Sequence, residues 1–452
     1  MRLRKTITTI VATAILLAGW QLFAVIANQP ELIPSLPRLV RTLCEWLVSG
    51  SFYQSVGATI LRGILGMSIS FVCAIGMAGL FARFEWVYEL FRPLLAIMRS
   101  IPVISFILLA LIFLNPESIP LMIAFLTMFP LLTENLTRGI LDLRPGLSIM
   151  ARQFHIKRSN VLFQIIYPQL KPFLYSGLAS ATGFGWRAII MGEVLSQCAF
   201  GIGSEMKRAQ NFIAVPELLA WTIVAVFISF FFDKGISKVA DITPKISFAN
   251  EDQTIPTPTL SVLDTKDISY QYGIQHFSHS FQKGIIYGIN APSGKGKTTL
   301  LNLIGDILLP TEGEIHPTRH FGIATIFQQP QLLPHLTAEE NIILPLSSFL
   351  TEEKARRIAQ KHLQEMEMEP FGNRYPKELS YGQQQRIAIA RALAYPSPLL
   401  LMDEPFKGLD EALSHRIIER IREMQMKEER IILFTSHNPD EIRLLADEVI
   451  YL

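Results

Sequence analysis

Long apolar runs fill the chain up to about residue 240 and are scarce after it. We predict six membrane-spanning helices from these runs, at about 7–27, 59–82, 94–114, 118–133, 173–193 and 214–232. A helix that crosses a bilayer needs roughly 20 residues at a rise of about 1.5 Å each, and most of the runs approach that length. The competing interpretation, a large soluble core of buried helices, does not account for so many runs in so short a stretch.

The start of the chain is basic and then apolar, which would also fit a secretory signal peptide. The uncharged run from Ile7 to Ala27 is long enough to cross a bilayer, and further apolar runs follow it, so we interpret it as a retained first span. Lys and Arg crowd the segments before the first run and between the fourth and fifth runs. Because basic residues stay inside, this distribution predicts a multi-pass protein of the cytoplasmic membrane with both termini in the cytosol.

The residues after the last span read as a different domain. A polar, Pro- and Thr-rich stretch at 243–262 has no helical period and is interpreted as a linker. We therefore predict a transmembrane domain at 1–242 and a soluble domain at 263–452. The net charge of +2 gives no sign of nucleic-acid binding, and the three cysteines show neither metal-ligand spacing nor a disulfide framework.

The soluble half contains a phosphate-binding pattern. The apolar run GIIYGIN (284–290) predicts a buried strand, APSGKGKTT follows it, and LLNLIGDILL then has a helical pattern. Lys297 would reach the β- and γ-phosphates, and the Thr298 hydroxyl would bind Mg²⁺. The predicted ATP contacts in this loop are Ser293, Gly294, Lys295, Gly296, Lys297, Thr298 and Thr299.

Ala291 stands at the start of this loop, where glycine is usual. The cost of the alanine depends on whether the backbone needs a positive φ there, which costs a residue with a Cβ about 1 kcal/mol or more. The positions that would contact phosphate are intact, so we expect nucleotide binding to survive.

A second motif, PLLLMDEP (398–405), reads as an apolar strand that ends in two acidic residues. Asp403 would hold Mg²⁺ through water, and Glu404 is placed to orient or deprotonate the attacking water. Together with the phosphate loop, this motif predicts an α/β P-loop ATPase domain. The apolar runs that precede this domain predict an all-α membrane domain of six helices.

A third motif, LSYGQQQRIAIARAL (379–393), resembles the signature of ATP-binding cassette (ABC) ATPases. By the same resemblance, Tyr272 matches the aromatic residue that stacks on adenine, and Gln328 matches the glutamine of the Q-loop. Asp410 matches the end of the D-loop, and His437 matches the switch histidine that contacts the γ-phosphate. The chain departs from the signature at Tyr381, where the family usually has its first glycine. The ring would either crowd the nucleotide of the other subunit or point outward as a neutral variation.

The resemblance implies that ATP is sandwiched between two cassettes, with each phosphate loop facing the other cassette's signature. A homodimer with two ATP sites is the simplest such assembly. The implied signature contacts to the opposite nucleotide are Ser380, Gly382 and Gln383. The implied catalytic residues are Glu404, His437 and Gln328, and the implied Mg²⁺ ligands are Thr298, Gln328 and Asp403.

The long basic segment between the fourth and fifth spans is predicted to form short cytoplasmic helices broken near Pro168. It resembles the EAA loop of binding-protein-dependent importers, because Ala151, Ile165 and Pro168 fall at that motif's spacings. His155 stands where the motif has glycine. We interpret the segment as a docking element for the ATPase half, and the alternative is a solvated interfacial segment.

Charged residues inside membrane spans are costly, about 2.5–3.5 kcal/mol for Arg at a helix centre, so they are functional candidates. Arg187 and Glu193 lie in the predicted fifth span. They are candidates for a translocation path for an anion, and the alternatives are snorkelling to the interface or a structural ion pair.

Residues of about 30–235 resemble permeases of the nitrate, sulfonate and taurine importers, a group in which permease and ATPase are usually separate chains. The leading hypothesis is an ATP-driven importer that receives a small solute from an external binding protein. The alternatives are an exporter half-transporter and a non-transporting membrane ATPase that transmits force to a partner.

Overall fold

The computed structural model describes residues 2–240, 244–253, 260–271, 273–292, 294–317 and 322–452. Contacts between residues divide the chain into two compact units. The first comprises Met1–Leu143 and Gln169–Thr243, and the second comprises Arg144–Pro168 and Pro244–Leu452. The segment Arg144–Pro168 lies between apolar helices in the sequence but belongs to the second unit.

All regular secondary structure in the described residues of the first unit is helical. Its helices are α1 (Arg2–Ala27), α2 (Leu36–Trp46), α3 (Gly50–Arg83), α4 (Glu85–Ser100), α5 (Val103–Phe113) and α6 (Ile119–Leu141). After the segment assigned to the second unit, α9 (Tyr167–Ser196), α10 (Ile202–Asn211) and α11 (Val215–Ala240) complete it. A 3₁₀ turn, Pro116–Ser118, precedes α6.

Within the described residues, 3 helices are long and apolar enough to cross a membrane: Gly50–Arg83, Pro116–Leu141 and Val215–Lys238. A fourth span is formed if α4 and α5 are counted as one, although they are bent by 94°. The predicted number of six is therefore not confirmed. The predicted span 94–114 is interrupted at Ile101–Pro102, because proline has no N–H to continue helical hydrogen bonding.

The other differences from the predicted spans also have local causes. The predicted first span lies in α1. The apolar part of this helix, Val11–Ala27, is shorter than the three helices that are long enough to cross a membrane. The predicted span 173–193 lies in α9, which carries small polar residues together with Arg187 and Glu193. This helix is therefore not among the three that are long and apolar enough to cross a membrane. The predicted span 118–133 is part of a longer helix that continues to Leu141.

Helix α3 packs on α6 and α9 through small side chains. Its buried residues recur every three or four positions along one face: Ser55, Thr59, Gly63, Gly66, Ser70, Ala74 and Ala78. A Cβ on Gly66 would lie 2.6 Å from the Cβ of Ala124, so glycine is needed for this approach. Small residues at such an interface let helix backbones pack closely in a membrane, where the hydrophobic effect does not drive association.

The second unit begins with the segment Arg144–Pro168, here called the coupling segment. It contains α7 (Pro145–Gln153), the single turn α8 (Arg158–Asn160) and a π-helical turn, Val161–Ile166, that leads into α9. The predicted break near Pro168 is wrong. The helix breaks instead at residues 154–157, where His155 has φ 45°, and it continues through Pro168. The π-helical turn already departs from the regular hydrogen-bond pattern and so accommodates the proline.

The rest of the second unit is an α/β domain. Its strands are β1 (Val262–Tyr270), β2 (Ile274–Gln282), β3 (Ile286–Asn290), β4 (Glu312–His316), β5 (Ala324–Ile326), β6 (Leu399–Asp403), β7 (Ile431–Thr435) and β8 (Glu448–Tyr451). Its helices are α12 (Lys297–Ile304), α13 (Ala338–Leu346), α14 (Glu352–Glu365), α15 (Tyr381–Ala394), α16 (Glu411–Glu428) and α17 (Pro439–Leu445).

These strands form two sheets. One has three antiparallel strands in the order β2-β1-β4, and the other has five parallel strands in the order β5-β6-β7-β3-β8. Strands β6 and β7 are buried at every position, as expected for parallel strands covered on both faces. Because β6, β7 and β3 are neighbours, the segments that follow their carboxyl ends lie together at one edge of the sheet.

Candidate ATP-hydrolysis site

The phosphate loop connects β3 to α12 and has the backbone that an anion site requires. Gly294 has φ 81° and Gly296 has φ 87°, a region that residues with a Cβ rarely enter. A Cβ on Gly296 would also lie 2.7 Å from the carbonyl oxygen of Gly273. Gly296 precedes the first residue of α12, so the free N–H groups of this helix face the loop.

Ala291 is not among the described residues that have a positive φ. It is buried directly after β3, and its carbonyl oxygen accepts a hydrogen bond from Nζ of Lys297 at 2.8 Å. The conformational cost that an alanine could bring to this position is therefore absent. Lys297 also approaches Nδ1 of His437 at 3.2 Å, which places a predicted phosphate ligand beside the predicted switch histidine.

Asp403 ends β6 and lies against the phosphate loop. Its carboxylate accepts hydrogen bonds from the Thr298 hydroxyl at 2.9 Å and from the Thr435 hydroxyl at 2.8 Å. Desolvation by burial raises the pKa of Asp403 despite these hydrogen bonds, so a cation beside it would be favourable.

The oxygen donors of Thr298, Asp403 and Gln328 suit Mg²⁺, which prefers oxygen ligands and keeps several waters. The part of the chain that the structure describes contains no cluster of three His, Cys, Asp or Glu side chains that would hold a transition metal.

Glu404 follows Asp403 with φ 48°, an unfavourable conformation for a residue with a Cβ. Its carboxylate lies 3.0 Å from Nζ of Lys407 and 3.1 Å from Nε2 of His437. Burial raises the pKa of Glu404, but hydrogen bonds from Lys407 and Gln328 and the charge of Lys407 outweigh it, and the net pKa is lowered. Glu404, His437 and Gln328 are thus brought together in one protomer.

The signature residues lie at the start of α15, where they cap the helix. The Ser380 hydroxyl accepts from the backbone N–H of Gln383 at 3.3 Å, and the Gln383 side chain accepts from the Ser380 N–H at 2.9 Å. Gly382 approaches the carbonyl oxygen of Gly408, since a Cβ there would lie 2.7 Å away. Asp410 caps α16 by accepting a hydrogen bond from the N–H of Leu413 at 2.9 Å.

Two predicted ATP contacts, Tyr272 and Ser293, lie outside the described residues. Lys295 is exposed on the loop, and Thr299 is half-buried in the first turn of α12. Neither residue joins the group formed by Lys297, Glu404 and His437.

The coupling segment is fastened to the ATPase core by buried polar side chains. Asn160 donates to the hydroxyl of Ser347 and to the carbonyl of Ser247, both at 2.8 Å, and accepts from the N–H of Ser247 at 2.8 Å. Gln153 binds the carbonyl of Gly305 and the hydroxyl of Thr325.

The apolar side of the coupling segment is equally buried. Phe154 is fully buried against the ring of Tyr395, with ring centroids 5.1 Å apart, and the Arg391 guanidinium lies 5.5 Å from the Phe154 ring centroid. Of the residues matched to the EAA loop, Ala151 is buried in this contact, whereas His155 is exposed. The left-handed conformation of His155 explains why a glycine suits that position of the motif.

The two charged residues of the predicted fifth span are not brought together. Arg187 is exposed on α9, whereas Glu193 is fully buried. The Glu193 carboxylate accepts from Thr59 at 2.9 Å, Arg62 at 2.8 Å and the N–H of Gly203 at 2.9 Å. These contacts tie α3, α9 and α10 together.

Sequence reasoning missed three residues that complete these arrangements. Lys407 lies within the predicted D-loop and pairs with Glu404, and its spacing of three residues from Glu404 was the available signal. Thr435 lies in the switch motif but bonds Asp403 because β6 and β7 are neighbours. Asn160 had no recognisable signal, since both of its partners are distant in the sequence.

Both halves of the chain are similar to known proteins. Residues 274–407 match the family model described as ABC transporter, and residues 56–233 match the model described as binding-protein-dependent transport system inner membrane component. An uncharacterized ABC transporter ATP-binding protein of Methanocaldococcus jannaschii is 34% identical over 201 residues, which cover 40% of this chain and 85% of that protein. The chain belongs to the ABC transporter family. This ABC transporter carries a permease domain and an ATP-hydrolysing domain in one polypeptide.

Other similar proteins include import components. An Fe(3+) ions import ATP-binding protein of Rhizobium etli is 35% identical over 189 residues, which cover 40% of this chain and 54% of that protein. A carnitine transport ATP-binding protein of Listeria monocytogenes is 37% identical over 186 residues, which cover 38% of this chain and 47% of that protein. The chain thus spans about half the length of these import relatives.

A solved dimeric ATP-binding cassette in a post-hydrolysis state, bound to ADP and Pi, is 32% identical, with 42% of this chain and 94% of that chain covered and a TM-score of 0.40.

Proposed function

We propose that this ABC transporter is an importer that takes a small solute from an external binding protein and moves it into the cytosol. The observation that carries the proposal is the coupling segment, which interrupts a permease of the binding-protein-dependent type and packs within the compact unit of the ATPase. The solute class, by resemblance, is that of the nitrate, sulfonate and taurine importers. In this proposal the membrane is the cytoplasmic membrane and both termini face the cytosol.

The proposed hydrolysis uses the residues gathered at the edge of the parallel sheet. Lys297 and the N–H groups of the phosphate loop and α12 bind the β- and γ-phosphates. Thr298, Asp403 and Gln328 would hold Mg²⁺, which would offset the charge of the phosphates.

Glu404 accepts a proton from the attacking water, and His437 orients the γ-phosphate beside it. The lowered pKa of Glu404 keeps the carboxylate ionised at neutral pH, as a base must be.

The signature is proposed to act on the nucleotide of a second copy. Ser380, Gly382 and Gln383 cap the start of α15, and the resemblance to the family implies that they contact the nucleotide bound by the other protomer. In a homodimer, ATP would close the two ATPase domains and hydrolysis would reopen them. The coupling segment would transmit this motion to the permease, since its buried contacts to the ATPase lie on both sides of the break at residues 154–157, at Gln153 and Asn160.

The test is a crosslinked pull-down of the tagged full chain from its native membrane, with mass spectrometry of protein partners and bound small molecules. We expect a second copy of the chain and a secreted binding protein whose cargo indicates the solute. Recovery of no binding protein, together with ATPase stimulation by lipophilic compounds, would favour an exporter.

A parallel test replaces Glu404 by Gln, which keeps the shape of the side chain and removes its basicity. The Glu404→Gln variant should bind ATP and lose turnover. Full hydrolysis by this variant would refute the assignment of Glu404 as the base.

A further inference from the structure

Tyr381 occupies an unusual place in the ATPase domain. It is the first residue of α15, directly after the N-cap Ser380, and its side chain is 43% exposed. Its hydroxyl donates a hydrogen bond to the main-chain carbonyl of Gln328 at 2.8 Å. The side chain of the same Gln328 lies close enough to Glu404 to contribute to the lowered pKa of that carboxyl group. The Tyr381 hydroxyl therefore holds the backbone of Gln328, whose side chain lies beside the proposed base, Glu404.

The ring of Tyr381 also packs against the segment that follows Glu404. A Cβ placed on Gly408 would lie 2.7 Å from Cδ1 and 3.2 Å from Cε1 of Tyr381, which is closer than side chains pack. Gly408 has φ 79°, so the backbone there favours glycine as well. The tyrosine ring and the glycine are therefore a matched pair, because a side chain at 408 would displace the ring.

Three segments that hold the hydrolysis site thus converge on one side chain: the segment at Gln328, the start of α15, and the segment Glu404–Gly408. We propose that Tyr381 is a positioning residue for ATP hydrolysis, which holds Gln328 against Glu404 within one protomer. A glycine at 381 would leave these segments without this connection. This inference rests on the proposed role of Glu404 and adds to it a residue that acts through Gln328.

The test compares steady-state ATPase kinetics of the purified full chain with those of Tyr381→Phe, which removes only the hydroxyl. Loss of one hydrogen bond predicts a roughly 2- to 10-fold fall in kcat. The KM for ATP should stay within about twofold, because the contacts of Tyr381 described above are to Gln328 and Gly408, which lie outside the phosphate loop. Thermal denaturation of both proteins controls for folding.

The pairing of the ring with Gly408 is tested by a double-mutant cycle of Gly408→Ala in the wild-type and Tyr381→Gly backgrounds. The cost of a left-handed alanine is common to both backgrounds and cancels in the comparison. We expect Gly408→Ala to lower kcat several-fold more when Tyr381 is present. An equal loss in both backgrounds would overturn the pairing.

Two outcomes of the kinetic test would overturn the positioning role itself. Tyr381→Phe with wild-type kcat and KM would show that the hydroxyl does not act on hydrolysis. A raised KM with unchanged kcat would show that Tyr381 contacts nucleotide instead. Failure of the proposed role of Glu404 is distinguishable, because it appears as hydrolysis by Glu404→Gln whatever the behaviour of Tyr381→Phe.

Discussion

Asn160→Ala should detach the coupling segment from the ATPase and uncouple hydrolysis from transport. The side chain of Asn160 is 1% exposed and makes three hydrogen bonds, each 2.8 Å long, to Ser247 and Ser347. At about 1 kcal/mol net for each bond, the docked arrangement loses about 3 kcal/mol. That is roughly a hundredfold shift in the equilibrium between docked and undocked segment.

Docking can be measured by a crosslink between introduced cysteines at Lys157 and Ser348, where the Lys157 N–H donates to the Ser348 hydroxyl at 2.9 Å. The native cysteines are first replaced by serine. Asn160→Ala should lower the crosslinking yield and the solute transported per ATP hydrolysed, while ATP binding is unchanged. Arg158→Ala, an exposed change in the same turn, is the matched control. Wild-type crosslinking and coupling in Asn160→Ala would refute this account of the segment.

Three further changes test other parts of the structure. Lys407→Gln removes the cation that lowers the pKa of Glu404, so that pKa rises and the acid limb of the ATPase pH profile should move to higher pH; an unmoved limb would contradict the pairing. Arg391→Ala removes a buried guanidinium that donates to the carbonyls of Pro330 and Gln331 at 2.9 and 2.8 Å, and should cost about 2–4 kcal/mol of stability and several degrees in Tm. Its control, Arg357→Ala, removes an exposed arginine that pairs with Glu353 and should change Tm little. His155→Gly relieves a left-handed residue at φ 45° and should be neutral or raise Tm, by up to about 1 kcal/mol of stability, whereas His155→Val should lower Tm; a clear loss in the glycine variant would contradict the backbone argument.

Local motifs predicted the parts of the site that are local in the sequence. The phosphate loop, the acidic end of β6 and the start of α15 each need particular residue types within a few positions, so their patterns are readable. The hydrogen bond from Thr435 to Asp403 depends on the pairing of β6 with β7, which joins residues 32 positions apart. No local pattern encodes that pairing, and it had to come from the structure.

In the membrane half, the apolar pattern predicted where helices form better than how many of them span the bilayer. Length and hydropathy do not reveal a bend, although Pro102 in the predicted third span was a local signal of one. The buried Glu193 was readable as exceptional, but its partners Thr59 and Arg62 lie more than 130 positions away, at separations of 134 and 131 residues. Charge in a span therefore identifies a site worth examining without identifying its role.

The direction of transport relative to ATP tests the central proposal most directly. The full chain would be reconstituted in liposomes with ATP sealed inside, and the binding protein recovered by pull-down would be added outside with its labelled cargo. An importer with its ATPase domain in the ATP compartment should accumulate label in the lumen, and the Glu404→Gln variant should not. ATP-driven loss of label from preloaded vesicles, or hydrolysis without any movement of label, would contradict the assignment as an importer.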